Sequence, residues 1–232
     1  MTFPSFRSIA STLPSRHLTG RLHPRVAPKS KPTSPCGAGT APGLWNGRVL
    51  LLRDYAFADG TLKGIFFETG YADFLAWRDW EFPDRAVANC FSMGALRAND
   101  GAYLLGVMGA HTASPGSIYF PAGTPDPDDV LGNTVDLAGS VAREIAEETG
   151  ITDITVAPRW HAIVDRQYIA LITLVAMPQS AETLRRMMLR HIASEQQPEL
   201  SDIRIVRSIA HFDAKMPRFV TAYLSHIWLE LT

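Results

Sequence analysis

Only two cysteines, Cys36 and Cys90, occur among the 232 residues. Two thiols cannot build a disulfide framework or a four-cysteine zinc site. Cys90 lies in a stretch that reads as strand and is expected as a small buried hydrophobe. No apolar run reaches the ~20 residues of a membrane-spanning helix. The best one, Tyr168 to Met177, has the length of a strand. A surplus of either charge is missing too. With 22 Lys+Arg against 23 Asp+Glu the net charge is -1, which argues against a nucleic-acid protein held by phosphate contacts and against a broad steering field. Asp and Glu are absent altogether from residues 1–43, which carry Arg7, Arg16, Arg21, Arg25, Lys29 and Lys31 among Ser, Thr, Pro and Gly. Low hydrophobicity with one charge sign predicts a poorly ordered basic tail. A mitochondrial transit peptide has a similar composition, but prolines at 4, 14, 24, 28, 32, 35 and 42 leave little room for its amphipathic helix. A tail on a cytoplasmic protein is therefore expected ahead of a targeting segment or a misassigned start.

Hydrophobic residues at 46% and charged residues at 19% are the balance of a globular domain with a real core, placed here over residues 44–232. Arg48–Leu52 and Leu62–Glu68 read as strands turned at Asp59-Gly60, a hairpin signal. Tyr71–Trp80 has closer to helical spacing, with an aromatic crowd suited to core packing. Ala86–Leu96 and Ala102–Met108 read as strands joined through Asn99-Asp100-Gly101, and a short strand ends at Phe120-Pro121. Further strands are expected at 154–156, 160–164, 168–177 and 203–206, and helices at 182–192 and 217–229. Strands and helices do not alternate regularly, so a mixed α+β sandwich is favoured over a doubly wound parallel sheet.

The informative segment is Asp136 to Gly150, DLAGSVAREIAEETG. Asp136 suits a helix N-cap, Leu137, Val141 and Ile145 form one buried stripe, and Gly150 suits the left-handed closing position. On this helix Glu144, Glu147 and Glu148 stand at i, i+3 and i+4 and share one face in the last turns. The helix dipole is negative there and disfavours carboxylates. Like charges ~5 Å apart at an effective dielectric of ~20 repel by about 3 kcal/mol per pair. Arg143 can reach Glu147, but one guanidinium does not neutralise three acids; a divalent cation would.

Phe120-Pro-Ala-Gly123 followed by Arg143-Glu-Ile-Ala-Glu-Glu-Thr-Gly-Ile151 resembles the Nudix hydrolase signature, G-x5-E-x7-R-E-U-x-E-E-x-G-U with U aliphatic. The second half matches at every specified position. Ala122 replaces the first glycine of the usual Gly-Gly entry. From Gly123 to Arg143 is 20 positions instead of 14, so the loop Thr124–Thr134 holds six extra residues, and the position of the first signature glutamate falls on Val135. In the family that glutamate braces the loop and the arginine, so its loss should alter loop geometry more than chemistry. Asp126, Asp128 and Asp129 in the enlarged loop are expected as turn formers beside proline, with an outer metal contact as the lesser reading.

The resemblance implies a Nudix-type α/β/α sandwich with a mixed sheet and a Mg²⁺- or Mn²⁺-dependent diphosphate hydrolase. Glu144, Glu147 and Glu148 with the Gly123 carbonyl oxygen would be ligands, a donor set suited to hard cations, and Arg143 would hold Glu147. The general base would be a helix glutamate or one from a later loop, where Glu199 is preferred to Glu195. Tyr119 and Arg166 are the substrate-contact candidates; Phe91 and Trp160 read as core. His111 and His161 read as ordinary loop and strand histidines. The implied partner is a small nucleoside diphosphate derivative of ADP-ribose or nucleotide-sugar type, with no nucleic acid and no membrane. A catalytically weak nucleotide sensor and a coenzyme A diphosphatase are the rival readings. Relatives often dimerise through N-terminal strands, for which Trp45–Glu68 is the segment at hand, so a homodimer is admitted.

Overall fold

A computed structural model describes residues 5–10, 23–26 and 47–230. Two short strands come first, β1 (Ser5–Ala10) and β2 (His23–Val26). Both fall within the expected tail; the rest of residues 1–43, Cys36 included, is outside the described residues. The expected hairpin is β3 (Arg48–Ala58) and β4 (Thr61–Gly70), turned by Asp59 and Gly60 at φ 48° and 67°. Both turn residues are left-handed, as a two-residue hairpin turn that follows strand twist requires. β2 adds a third strand by pairing parallel with β4. Helix α1 (Tyr71–Asp79) folds back to place Phe74 on Val49 and Leu51.

β5 (Asn89–Arg97) and β6 (Tyr103–Met108) share the register pair Arg97–Tyr103 beside their turn. Farther along, β7 (Ile118–Tyr119) pairs with β6 and β8 (Ala122–Gly123) pairs with β5. The strand expected to end at Phe120-Pro121 is β7, which stops at Tyr119; β8, just beyond the proline, was not expected. The enlarged loop contains a 3₁₀ turn (Pro127–Asp129) and a minimal hairpin of β9 (Val130–Leu131) and β10 (Thr134–Val135). Helix α2 (Leu137–Thr149) has the bounds its caps predict. The strands expected at 154–156 and 160–164 are a single strand, β11 (Val156–Asp165), irregular in register between Val156 and Trp160. β12 (Tyr168–Ala176), α3 (Ala181–Ser194), β13 (Leu200–Val206) and α4 (Arg218–Glu230) complete the chain.

The main sheet runs β1-β11-β12-β5-β6-β13. It is mixed: β1 with β11 and β12 with β5 are parallel, while the other neighbours are antiparallel. β5 and β12 lie in its middle and are buried on both faces, which explains their near-continuous apolar sequences. On one face Leu137, Val141 and Ile145 of α2 and Leu184 and Met188 of α3 pack on Cys90, Leu96 and Leu171. The hairpin contributes Leu50, Leu52 and Phe66 to the same core. On the other face Val220, Tyr223 and Leu224 of α4 cover Met93, Leu105 and Ile163. The result is the expected α+β sandwich with helices on both faces of a mixed sheet. Gly94 lets α2 sit close, since a Cβ there would lie 2.5 Å from Ile145 Cδ1. Among the described residues no helix is long and apolar enough to cross a membrane.

Candidate metal and diphosphate site

Helix α2 presents its acids at a fixed height because both ends are pinned. The Asp136 carboxylate accepts from the Gly139 N–H at 3.0 Å, and Gly150 closes the helix at φ 71°. At that C-terminus the last carbonyl groups lack intrahelical donors. His191 of α3 supplies one, its Nε2 donating to the Glu147 carbonyl oxygen at 2.8 Å. The buried stripe faces β5, so Glu144 and Glu148 emerge at the edge of the core beside β8.

Glu148 is buried at 7% exposure. It accepts the Ala122 backbone N–H, yet its Oε1 is buried with no hydrogen-bond partner among the described residues. Burial first, then the charges of Glu144 and Glu199, raise its carboxyl well above the usual carboxylate range. Glu144 lies across Gly123 so closely that a Cβ on Gly123 would overlap its carboxylate. Burial pushes Glu144 up to about 7; Arg143 opposes this, while Glu147, Glu199 and Asp129 add to it. Glu147 stands at the rim with its side chain 64% exposed.

Glu199, immediately before β13, belongs to the same charge cluster. Its carboxyl is raised by burial and then by Glu147, and His111 draws it down. The Glu199 carbonyl oxygen accepts the Gly109 N–H at 2.7 Å, which ties it to the loop that carries His111. Glu195 is turned elsewhere, 3.2 Å from His191 Nε2. Tyr119 on β7 faces the cluster. Its hydroxyl is raised first by burial and then by Glu148, Glu199, Tyr71 and Glu144, so it remains a protonated donor. No three of these acidic groups bring one oxygen each to within 4.8 Å of the other two.

Arg143 has a different main partner from the one expected. Its terminal nitrogens bind both carboxylate oxygens of Asp129 at 2.5 and 3.2 Å, whereas Glu144 is 3.4 Å away and Glu147 3.9 Å away. Asp129 is 3% exposed and also accepts the Asp126 N–H at 3.0 Å. Asp126 in turn accepts from the Asp128 N–H at 2.8 Å. Asp126 is therefore the turn former expected, and Asp129 is a buried counter-ion. Val135, where the signature has glutamate, packs into the core.

Arg166 is the sequence candidate that does not join the cluster. It sits in the β11–β12 turn at φ 56°, with its guanidinium 5.1 Å from the Phe82 ring centre and 3.8 Å from Glu81. Phe91 and Trp160 are buried as expected. His111 and Tyr71 were not expected at this site from sequence, and Asp129 only as a turn former or an outer metal contact, not as the partner of Arg143. His111 and Tyr71 carried no signal in the sequence, since only the fold brings them near Glu199 and Tyr119.

No protein-family profile matches the chain, and no curated protein matches it. Solved structures do. A Nudix hydrolase from M. smegmatis, RenU, is 12% identical over 61% of this chain and 83% of that one, with a TM-score of 0.41. The Nudix domain of Shewanella oneidensis NrtR, crystallised with ADP-ribose, is 14% identical over 70% of this chain and 99% of that one, at 0.41. A bifunctional NMN adenylyltransferase/ADP-ribose pyrophosphatase from Francisella tularensis, complexed with AMP and a manganese ion, is 13% identical over 70% of this chain and 47% of that one, at 0.43.

Proposed function

We propose that this chain is a divalent-metal-dependent hydrolase of Nudix type, cutting the diphosphate of a nucleoside diphosphate joined to a second group. ADP-ribose or a nucleotide sugar is the favoured substrate. The single observation that carries the reading is Glu148 Oε1: a carboxylate oxygen buried without a hydrogen-bond partner among the described residues, in the charge field of Glu144 and Glu199. A buried anion in this state is costly unless a cation completes it, and the residues around it are oxygen donors of the kind that Mg²⁺ and Mn²⁺ prefer. Glu144, Glu147, Glu148 and the Gly123 carbonyl oxygen would hold the ion. When bound, it would offset charge on the diphosphate oxygens and lower the pKa of a coordinated water.

The chain's own groups account for the rest. Glu199 would accept the proton of the attacking water as the water's oxygen forms a bond to phosphorus, and its raised pKa makes it a stronger base than an ordinary carboxylate. The bond from that phosphorus to the bridging oxygen breaks, and the electron pair leaves with the departing phosphate. Tyr119, still protonated, would donate to a phosphate oxygen. Arg143, held by Asp129, would fix Glu144 from one side while Gly123 admits its carboxylate from the other.

The test is a panel of ADP-ribose, nucleotide sugars, dinucleotides and coenzyme A with Mg²⁺ or Mn²⁺, read as phosphate released after phosphatase coupling. Turnover of ADP-ribose or a nucleotide sugar that Glu148→Gln reduces by orders of magnitude is the expected result. Turnover of coenzyme A alone would reassign the substrate. Silence across the panel, with nucleotide binding retained, would make the protein a sensor.

A further inference from the structure

A second cluster of metal-binding side chains lies on the opposite face of the sheet from α2. His161 of β11 is 5% exposed, and its ring centre lies 5.3 Å from that of Tyr223 and 5.9 Å from that of His226, both on α4. One turn beyond His226, Glu230 places Oε1 3.3 Å from His226 Nε2. One ligand atom from each of His161, His226 and Glu230 lies within 4.8 Å of the other two. Among the described residues this is the set of three such side chains that meets that spacing; the glutamates of α2 do not.

We infer that His161, His226 and Glu230 form a binding site for a borderline transition-metal ion, with zinc the best fit, separate from the oxygen-donor site on α2. Three features carry this. Two imidazoles and one carboxylate are the donors that zinc, cobalt or nickel select over magnesium, so the two sites differ in hardness. The geometry is near closure: tetrahedral zinc at ~2.0 Å from nitrogen and oxygen places its ligand atoms about 3.3 Å apart, within reach of side-chain rotation on a strand and a helix. The cluster also opens outward. His161 is at its floor, while the His226 and Glu230 side chains are 20% and 33% exposed. Three protein ligands with a solvent side are the arrangement of a zinc ion that keeps a water. Glu230 ends α4, where the dipole disfavours an anion, and a bound cation would relieve that repulsion. The ligands tie β11 to the end of α4, so occupancy should stiffen the helix's docking onto the sheet.

The experiment uses the full chain, so the α2 site must be distinguished. Full-length wild type, Glu148→Gln, His226→Gln and Glu230→Gln are stripped of metal, loaded with zinc, passed through a desalting column and assayed for retained zinc by mass spectrometry. Cobalt absorption in the visible reports the coordination number. Wild type and Glu148→Gln should both retain about one zinc per chain with a tetrahedral cobalt spectrum, and zinc should raise the melting temperature of both. His226→Gln and Glu230→Gln should lose retained zinc by at least about tenfold, the scale on which altering a metal site costs affinity. Circular dichroism in metal-free buffer checks that the variants are folded. If they are not, histidine ring ¹⁵N shifts in wild type decide, since zinc must move the resonances of two of the seven histidines. Zinc retention abolished by Glu148→Gln, retention unchanged in both helix variants, or unmoved ring nitrogens would each overturn the site. None of these readouts depends on whether the α2 site hydrolyses a diphosphate.

Discussion

Arg143 and Asp129 bind each other through two hydrogen bonds across 14 positions of chain, the aspartate 3% exposed. This pair supplies what the position of Val135 cannot: an acid that grips the arginine next to Glu144 and ties the enlarged loop to α2. Removing one member of a buried pair costs far more than the pair itself contributes, because the other is left uncompensated. Arg143 is partly solvated, which lowers that cost. Asp129→Asn should therefore destabilise the protein by about 2 kcal/mol, seen as a lower urea midpoint. Diphosphate turnover should fall about tenfold or more through the loosened Glu144. Unchanged turnover would mean that Arg143 does not position Glu144.

Gly123 and Glu144 make a second test of fit. No left-handed backbone is needed to explain this glycine; the carboxylate simply occupies the space of its missing Cβ. Gly123→Ala must displace Glu144 or β8, and overpacking of this kind costs about 1–3 kcal/mol. Because the displaced group is a proposed ligand, manganese affinity by titration calorimetry should drop far more than stability does. Equal affinity in the variant and the parent would remove Gly123 and Glu144 from the metal site together.

Much of this architecture was legible beforehand because its signals are local. The α2 boundaries follow from Asp136, the four-residue stripe and Gly150, and the hairpin from Asp59-Gly60 between two apolar runs. The charge conflict of Glu144, Glu147 and Glu148 could likewise be read from spacing within one helix. What escaped notice depends on pairing between distant segments. The short strand β8 beyond Pro121 exists because Ala122 and Gly123 pair with Met93 and Ser92 of β5, some 30 positions earlier. Asp129 looked like turn chemistry because Asp126 and Asp128 beside it are exactly that kind of residue in sequence, and only folding buries it against Arg143. His161 appeared to stand alone because His226 is 65 positions away, beyond any local spacing rule.

The raised carboxyl of Glu144 makes metal-free stability depend on pH with a definite sign. Its pKa rises from 4.5 in the ordinary state to about 7 in the folded protein. Between those values the folded chain holds a proton that the unfolded chain has released, so stability must fall as pH rises through that window. The contribution of Glu144 is at most about 3 kcal/mol, and Glu148 acts in the same direction. A bound cation replaces the proton, so manganese should restore stability above pH 7 and do little at pH 5. Melting temperatures at the two pH values, with and without manganese, check this; parallel shifts by manganese at both would contradict it.

Glu148→Gln separates the cost of the buried acid from its use. In the metal-free protein burial, and then Glu144, favour the protonated form of Glu148 and raise its carboxyl well above the usual carboxylate range. While that carboxyl is protonated, an amide of the same shape should change the melting temperature little. Where the pH is high enough to ionise it, the parent holds a carboxylate whose Oε1 has no hydrogen-bond partner among the described residues, whereas the variant does not, so the variant should become the more stable of the two. Adding manganese should reverse the order, because the parent gains a cation that the amide binds poorly. Thermal melts at pH 9 with and without manganese would show the crossing. A variant that is less stable than the parent in both conditions would mean that the Glu148 carboxylate is held by contacts within the chain, and the case for a cation beside it would fail.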